Sequence, residues 1–190
     1  MTASDPARRS PPTAERWHSA VLAALHHESP LGPLGLAASA TGLCAVLLPA
    51  PSPRSATLPL TRQSPVAAGP ARDAARWLAQ AQREFDRYFS GQLRAFTVPL
   101  DLRGTPFQLA VWRGLCQIPF AATLSYGALA AAVGRPRASR AVGQANHLNP
   151  VAIVVPCHRV IGADGSLTGY GGGLDCKRFL LNFEAHPPVA

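Results

Sequence analysis

The 190-residue chain is short of acids, of lysine and of long apolar runs. Ten Asp and Glu stand against eighteen Lys and Arg, a formal net charge of +8, and Lys177 is the single lysine among those cations. The excess is evenly spread: residues 1–100 carry ten arginines against six acids, and residues 101–190 carry eight cations against four. There is thus no polybasic tail, and the balance favours an anionic partner, nucleic acid first and a membrane surface second. No apolar stretch approaches the roughly 20 residues needed to span a bilayer. The N-terminus also lacks the apolar segment of a signal peptide, so no membrane association and a cytoplasmic location are the expectation. The four cysteines, Cys44, Cys116, Cys157 and Cys176, contain no Cys-x-x-Cys pair. That spacing signals neither a disulfide framework nor a paired-cysteine zinc site, and reduced thiols are expected.

What is present reads as an α/β chain in two parts. Residues 1–16 are rich in Pro, Ser, Thr and charge with little to bury, and are expected to be disordered ahead of an N-terminal α/β domain over 17–96. Leu34–Ser39 and Leu43–Leu48, separated by Ala40-Thr41-Gly42, read as a β-hairpin. The proline-rich stretch 49–72 reads as a long mobile loop. From Asp73, Leu78, Ala81, Phe85, Tyr88 and Phe89 share one helical face and Gly91 ends it. Residues 97–103 read as an extended linker to a second domain over 104–190. Thr105-Pro106-Phe107-Gln108 is a helix start with a capping box and a proline in the first turn. Ser125 can cap a helix over Tyr126–Val133, Gly134 and Pro136 make a turn, and Arg137–Asn146 forms a second helix, the arrangement of a helix-turn-helix. On that second helix Ala138, Val142 and Ala145 form one stripe and Arg137, Arg140 and Gln144 another. Its side chains are small at Ala138, Ser139, Ala141, Gly143 and Ala145, which permits close approach of a partner or, equally, close packing within the protein.

The run Val151–Val155 reads as a strand that stops at Pro156 and presents Cys157, His158 and Arg159. A thiol beside an imidazole is a candidate activated nucleophile, because the thiolate is the reactive species and nearby positive charge favours it. The same dipeptide also suits a buried thiol with an incidental neighbour. Tyr170 and three glycines, Gly171 to Gly173, form a loop able to approach a ligand closely. A last helix over Leu174–Glu184 has Cys176, Leu180 and Phe183 along its apolar side. Glu184 sits at its C-terminal end, where the helix dipole mildly disfavours a carboxylate; simple solvation or an opposing cation would account for it.

With Pro156-Cys157-His158-Arg159-Val160 in place, the chain resembles the O6-alkylguanine-DNA alkyltransferases. The resemblance runs through Phe107-Gln108, Val111-Trp112, Ile118-Pro119, Ser125-Tyr126-Gly127, Arg140-Ala141-Val142-Gly143, Asn149-Pro150, Tyr170, Lys177, Leu180-Leu181 and Glu184, and more weakly through Ser29–Leu34 and Tyr88–Gly91. It implies a ribonuclease-H-like N-terminal domain and a mostly helical C-terminal domain with a winged-helix-like helix-turn-helix. It further implies single-turnover transfer of an alkyl group from guanine O6 in double-stranded DNA to Cys157, with O4-alkylthymine a second candidate substrate and no cofactor. Within it, His158 would take the thiol proton through a water, Glu184 would orient His158, and Tyr126 would protonate the departing base. Asn149 would tie the reactive strand to the preceding helix, and Val160, Tyr170 and Gly171 would form the base pocket. Arg140 would fill the space left by the extruded nucleotide while Arg137, Ala138, Ala141, Gly143 and Gln144 lie along the minor groove. A monomer in solution, with cooperative assembly on DNA an open question, completes the expectation. The chain departs from the family pattern at Phe183, where His is common, and at Ala121, where Gly is common. Its N-terminal Cys44, His18, His26 and His27 do not match the zinc-binding relatives, so no metal is expected. Two other classes compete with this reading, a damage-sensing DNA-binding module that leaves Cys157 unused and a multiple-turnover cysteine hydrolase.

Overall fold

A computed structural model describes residues 20–49 and 69–188. The segment 1–16 and most of the stretch 49–72 discussed above lie outside the described residues. Three short strands, β1 (Ala23–His27), β2 (Leu34–Ala38) and β3 (Leu43–Leu47), form an antiparallel sheet with β2 at its centre. The expected hairpin is β2–β3, paired at Leu36↔Val46 and bulged between Ala37 and Ala38. The strand β1, which pairs Leu25 with Leu36, carries no alternation strong enough to announce it.

The long helix α1 (Pro70–Phe89) starts three residues before Asp73, so positions 70–72 are helical rather than loop. Ala74, Leu78, Ala81 and Phe85 are buried, and the helix lies over the sheet, where Trp77 Nε1 donates to the Ala40 carbonyl at 3.1 Å. Gly91 takes φ +79°, which ends the helix at low cost for a residue without Cβ.

The stretch 97–103, expected as an extended linker, bends at Val98 and is docked against β3. Leu43 N–H donates to the Pro99 carbonyl at 2.7 Å and Asp101 N–H to the Leu43 carbonyl at 2.9 Å. A Cβ at Gly42 would collide with the Pro99 carbonyl, so glycine is what allows this approach. On the other side, the buried Glu84 carboxylate of α1 accepts from Thr97 N–H, Thr97 Oγ1, Val98 N–H and Gln80 Nε2. One apolar core runs from Leu34, Leu36 and Phe85 through Val98 to Trp112, Leu129, Val151 and Leu180.

Beyond it, α2 (Pro106–Leu115) begins with the reciprocal capping box: Gln108 N–H donates to Thr105 Oγ1 and Thr105 N–H to Gln108 Oε1. The pair α3 (Tyr126–Ala132) and α4 (Ser139–His147) forms the helix-turn-helix, with Ser125 capping α3 and Gly134 turning at φ +72°. The second helix starts two residues later than its sequence suggests, so Arg137 precedes it and Ala138 is its N-cap. Trp112 Nε1 donates to the Ala145 carbonyl at 2.9 Å and fixes α4 on α2. Two-residue strands β4 (Leu124–Ser125) and β5 (Val160–Ile161) pair in parallel, and α5 (Gly173–Ala185) closes the domain. Among the described residues no helix is long and apolar enough to cross a membrane.

Candidate active site and nucleic-acid interface

The run 151–155 is not a strand. It folds back on itself through Val154 N–H to the Ala152 carbonyl and Val155 N–H to the Val151 carbonyl, both 2.9 Å, with Ile153 at φ +70°. β-Branched residues favour extended chain, yet Asn149 clamps this turn from inside. Its Oδ1 accepts from Val151 N–H at 3.0 Å and its Nδ2 donates to the Val155 carbonyl at 2.7 Å. Asn149 therefore spans the turn, and the tie to the helix is made by Asn146 of α4, whose Nδ2 donates to the Cys157 carbonyl at 3.2 Å.

Cys157, His158 and Arg159 form one turn of 3₁₀ helix rather than extended chain, and all three are buried. The turn carries the His158 and Arg159 side chains to Glu184. His158 Nε2 lies 2.9 Å from Glu184 Oε1. Arg159 donates Nη2 to the same oxygen at 2.8 Å, Nε to Oε2 at 2.9 Å and Nη1 to the Ile118 carbonyl. Two further donors reach this carboxylate, Tyr88 Oη from α1 at 2.8 Å on Oε1 and Ala121 N–H at 3.1 Å on Oε2. Ala121 makes its bond from φ +62°, which explains why glycine suits that position. Glu184 is buried rather than solvated, and Arg159 supplies the cation that opposes it. The buried face of α5 is accordingly Lys177, Leu180 and Glu184, with Cys176 and Phe183 only half-buried, not the purely apolar stripe expected.

Burial alone would raise the Glu184 carboxyl, but the hydrogen bonds and charges of His158 and Arg159 hold it at about 2. Burial pushes His158 down, against the pull of Glu184 and with the help of Arg159 and Lys177. Burial likewise pushes the Cys157 thiol up, opposed by a hydrogen bond from Asn149 and by the Lys177 charge. The resting site is therefore a thiol beside a neutral imidazole. With Nε2 spent on Glu184, His158 Nδ1 is buried and has no hydrogen-bond partner among the described residues, and the same holds for Tyr170 Oη and Asn146 Oδ1.

The fully buried Lys177 joins this centre to the helix-turn-helix. Its Nζ donates to the Val160 carbonyl at 2.6 Å and the Thr168 carbonyl at 3.0 Å, and lies 6.0 Å from the Tyr126 ring centre. Thr168 Oγ1 in turn donates to Tyr126 Oη at 3.1 Å. Tyr126, Thr168 and Gly169 form one wall of an open groove whose other wall is Ser139, Arg140, Gly143 and His147 of α4. Gly143 faces the Tyr126 ring, where a Cβ would make ordinary contact. Arg137, Arg140, Ala141 and Gln144 are exposed, and Ala138 is half-buried. Val160 lies buried in β5, Tyr170 is half-buried, and Gly171 is exposed at the loop. Arg159, Tyr88, Lys177, Asn146 and Thr168 received no role from the sequence. The signals available for them were weak, the most visible being one lysine on an otherwise apolar helix face. Among the described residues no group of three or more His, Cys, Asp or Glu could hold a metal ion.

Fold and site define a two-part α/β protein in which a helix-turn-helix stands directly against a buried cysteine, its histidine and a carboxylate. Residues 106–186 match the 6-O-methylguanine DNA methyltransferase DNA binding domain, and residues 22–102 match the ribonuclease-like domain of the same family. The chain belongs to the 6-O-methylguanine DNA methyltransferase family. It is 52% identical over 109 residues, 57% of this chain and 69% of the relative, to a methylated-DNA–protein-cysteine methyltransferase of Methanosarcina barkeri. A protein of the same description from Mycolicibacterium paratuberculosis is 56% identical over 116 residues, 60% of this chain and 70% of the relative. The crystal structure of Mycobacterium tuberculosis OGT in complex with DNA superposes with a TM-score of 0.70 at 44% identity, covering 87% of this chain and 94% of that one.

Proposed function

We propose that this protein repairs DNA by moving the alkyl group of O6-alkylguanine onto Cys157, as a methylated-DNA–protein-cysteine methyltransferase. In the reaction the Cys157 sulfur forms a bond to the alkyl carbon as that carbon's bond to guanine O6 breaks. The thiol proton passes through a water to His158 Nδ1, since Nε2 is engaged by Glu184, and Glu184 stabilises the imidazolium that results. Electrons left on the purine are neutralised by a proton from Tyr126. No group in the site can break the resulting thioether, so each molecule acts once. The observation carrying this reading is the hydrogen-bonded His158–Glu184 pair beside Cys157, on the domain that holds the helix-turn-helix.

The groove between Tyr126 and α4 would receive the extruded nucleotide, with Val160, Tyr170 and Gly171 completing the base pocket and Arg140 entering the duplex in its place. Arg137, Ala138, Ala141, Gly143 and Gln144 would meet the backbone along the minor groove, so binding should be weakly sequence-selective and salt-sensitive. The protein would be a monomer in solution, with O4-alkylthymine the candidate second substrate and assembly on DNA an open question. Intact-mass measurement after incubation with O6-methylguanine duplex tests the reading. One methyl group gained per molecule, abolished in Cys157→Ala, is expected; no gain, or a gain that survives Cys157→Ala, overturns it.

A further inference from the structure

Among the described residues, Tyr88 is the N-terminal side chain that hydrogen-bonds to the reactive centre. Tyr88 lies on the buried face of α1, one turn beyond Glu84, whose carboxylate clamps the docked stretch at Thr97 and Val98. Its ring is wedged among Phe96, Phe120 and Phe183, with centroids 5.3, 6.2 and 5.3 Å away. Phe183, which replaces the family's common histidine, thereby becomes part of the socket that aims the Tyr88 hydroxyl. That hydroxyl donates to Glu184 Oε1, the same oxygen that His158 Nε2 and Arg159 Nη2 use.

We infer that Tyr88 is a positioning residue that sets how strongly Glu184 holds the proton-bearing form of His158. A carboxylate oxygen has limited capacity as an acceptor. Each donor that draws on Oε1 lessens the negative charge that can stabilise an imidazolium on Nε2. Tyr88 cannot ionise in place, because burial and the facing Glu184 charge push its hydroxyl far up, so it acts as a donor throughout the accessible pH range. Other titratable groups also face the pair. Arg159 comes from the 3₁₀ turn, Lys177 and Cys176 from α5, Cys157 from the residue before His158, and the Tyr170 hydroxyl from the loop before α5. Of these, only Arg159 shares Tyr88's direct contact with Glu184 among the described residues. In chemical terms the N-terminal helix keeps His158 a neutral base at rest, ready to receive the Cys157 proton.

This inference rests on the proposed role of His158, but it is tested in free protein without DNA. The His158 ring signals are followed by NMR through a pH titration in wild type, in Tyr88→Phe, and in protein carrying 3-fluorotyrosine at position 88. Tyr88→Phe keeps the ring in its aromatic socket and removes the donor, so the His158 midpoint should move up, with about a threefold or greater gain in proton affinity. The fluorinated phenol is the stronger donor and should move the midpoint down. A merely structural role would lower the melting temperature without separating the two variants in opposite directions, and that result, or an unmoved midpoint in both, overturns the inference. Should methyl transfer from damaged DNA fail in wild type while these shifts occur, the function falls and the role of Tyr88 stands.

Discussion

Replacing Glu184 by Gln removes the charge on which the buried centre is balanced. Five donors from four residues converge on this carboxylate. Gln keeps one acceptor oxygen and turns an NH₂ toward groups that are themselves donors. Arg159, only 7% exposed, is then left as an uncompensated buried cation, a change that costs about 3–5 kcal/mol. A second route gives the same scale. The Glu184 carboxyl falls from 4.5 to about 2 on folding, which corresponds to about 3 kcal/mol. Because the folded value is the lower one, this stability is present in full above pH 4.5 and is lost as pH falls toward 2. In a protein of this size about 3 kcal/mol is roughly 6–12 °C of melting temperature.

Thermal unfolding at pH 7 is the assay, with the same scan repeated down to pH 3. Glu184→Gln should melt well below wild type at pH 7, and the gap should narrow to roughly half at pH 3, where wild type has lost much of the same contribution. Glu184→Gln combined with Arg159→Met should recover part of the loss, since the stranded cation is gone. A melting temperature within about 2 °C of wild type at pH 7, or a gap that fails to narrow in acid, would refute the balance described.

Three further outcomes follow from other parts of the site. Ala121→Gly relieves a left-handed alanine, offset by a freer unfolded chain, and should stabilise by about 0.5–1 kcal/mol in denaturant unfolding. Lys177→Met removes the cation that pulls the Cys157 thiol down, so the pH at which Cys157 reacts with iodoacetamide should rise. Arg140→Ala should slow methyl transfer from duplex far more than transfer from the free modified base; equal slowing on both would remove Arg140 from nucleotide extrusion.

Features dictated by neighbours in sequence were legible without coordinates. The Thr105–Gln108 capping box, the Ser125 cap and the β2–β3 hairpin each depend on residues at most four apart or on local alternation, and each formed as expected. The site was legible only as far as its residue types: Cys157, His158 and Glu184 could be named, but not the company Glu184 keeps. Tyr88 lies 96 positions from Glu184 and Ala121 lies 63 away. No periodicity of helix or strand links such positions, so only the packed core reveals them. Arg159 was adjacent to His158 and still unassigned, because an extended chain would have pointed it away from the histidine, whereas the 3₁₀ turn sends both to one carboxylate.

The misread strand at 151–155 has a physical cause that can itself be tested. Val, Ile and Val favour extended chain, and a β-branched residue at positive φ is strained by about 1–3 kcal/mol. The turn with Ile153 at φ +70° persists because other terms outweigh that cost. The Val151 and Ile153 side chains are almost fully buried, and the two Asn149 hydrogen bonds contribute about 0.5–1.5 kcal/mol each. Asn149→Ala removes both bonds and leaves the Val155 carbonyl and Val151 N–H without these partners. The strain is then opposed only by burial and the turn's own two backbone hydrogen bonds, so the turn should open more readily toward the extended form its residues prefer, carrying Cys157 away from Lys177. Methyl transfer should fall by about a hundredfold, the penalty of roughly 1 Å of misplacement, while stability falls by only about 1–3 kcal/mol. Amide hydrogen exchange at Val154 and Val155 reports the turn directly, since both amides donate within it. Faster exchange there with a slowed transfer is expected; unchanged protection of these two amides would mean that burial and the turn's own backbone hydrogen bonds hold it and that Asn149 acts on the Cys157 thiol instead.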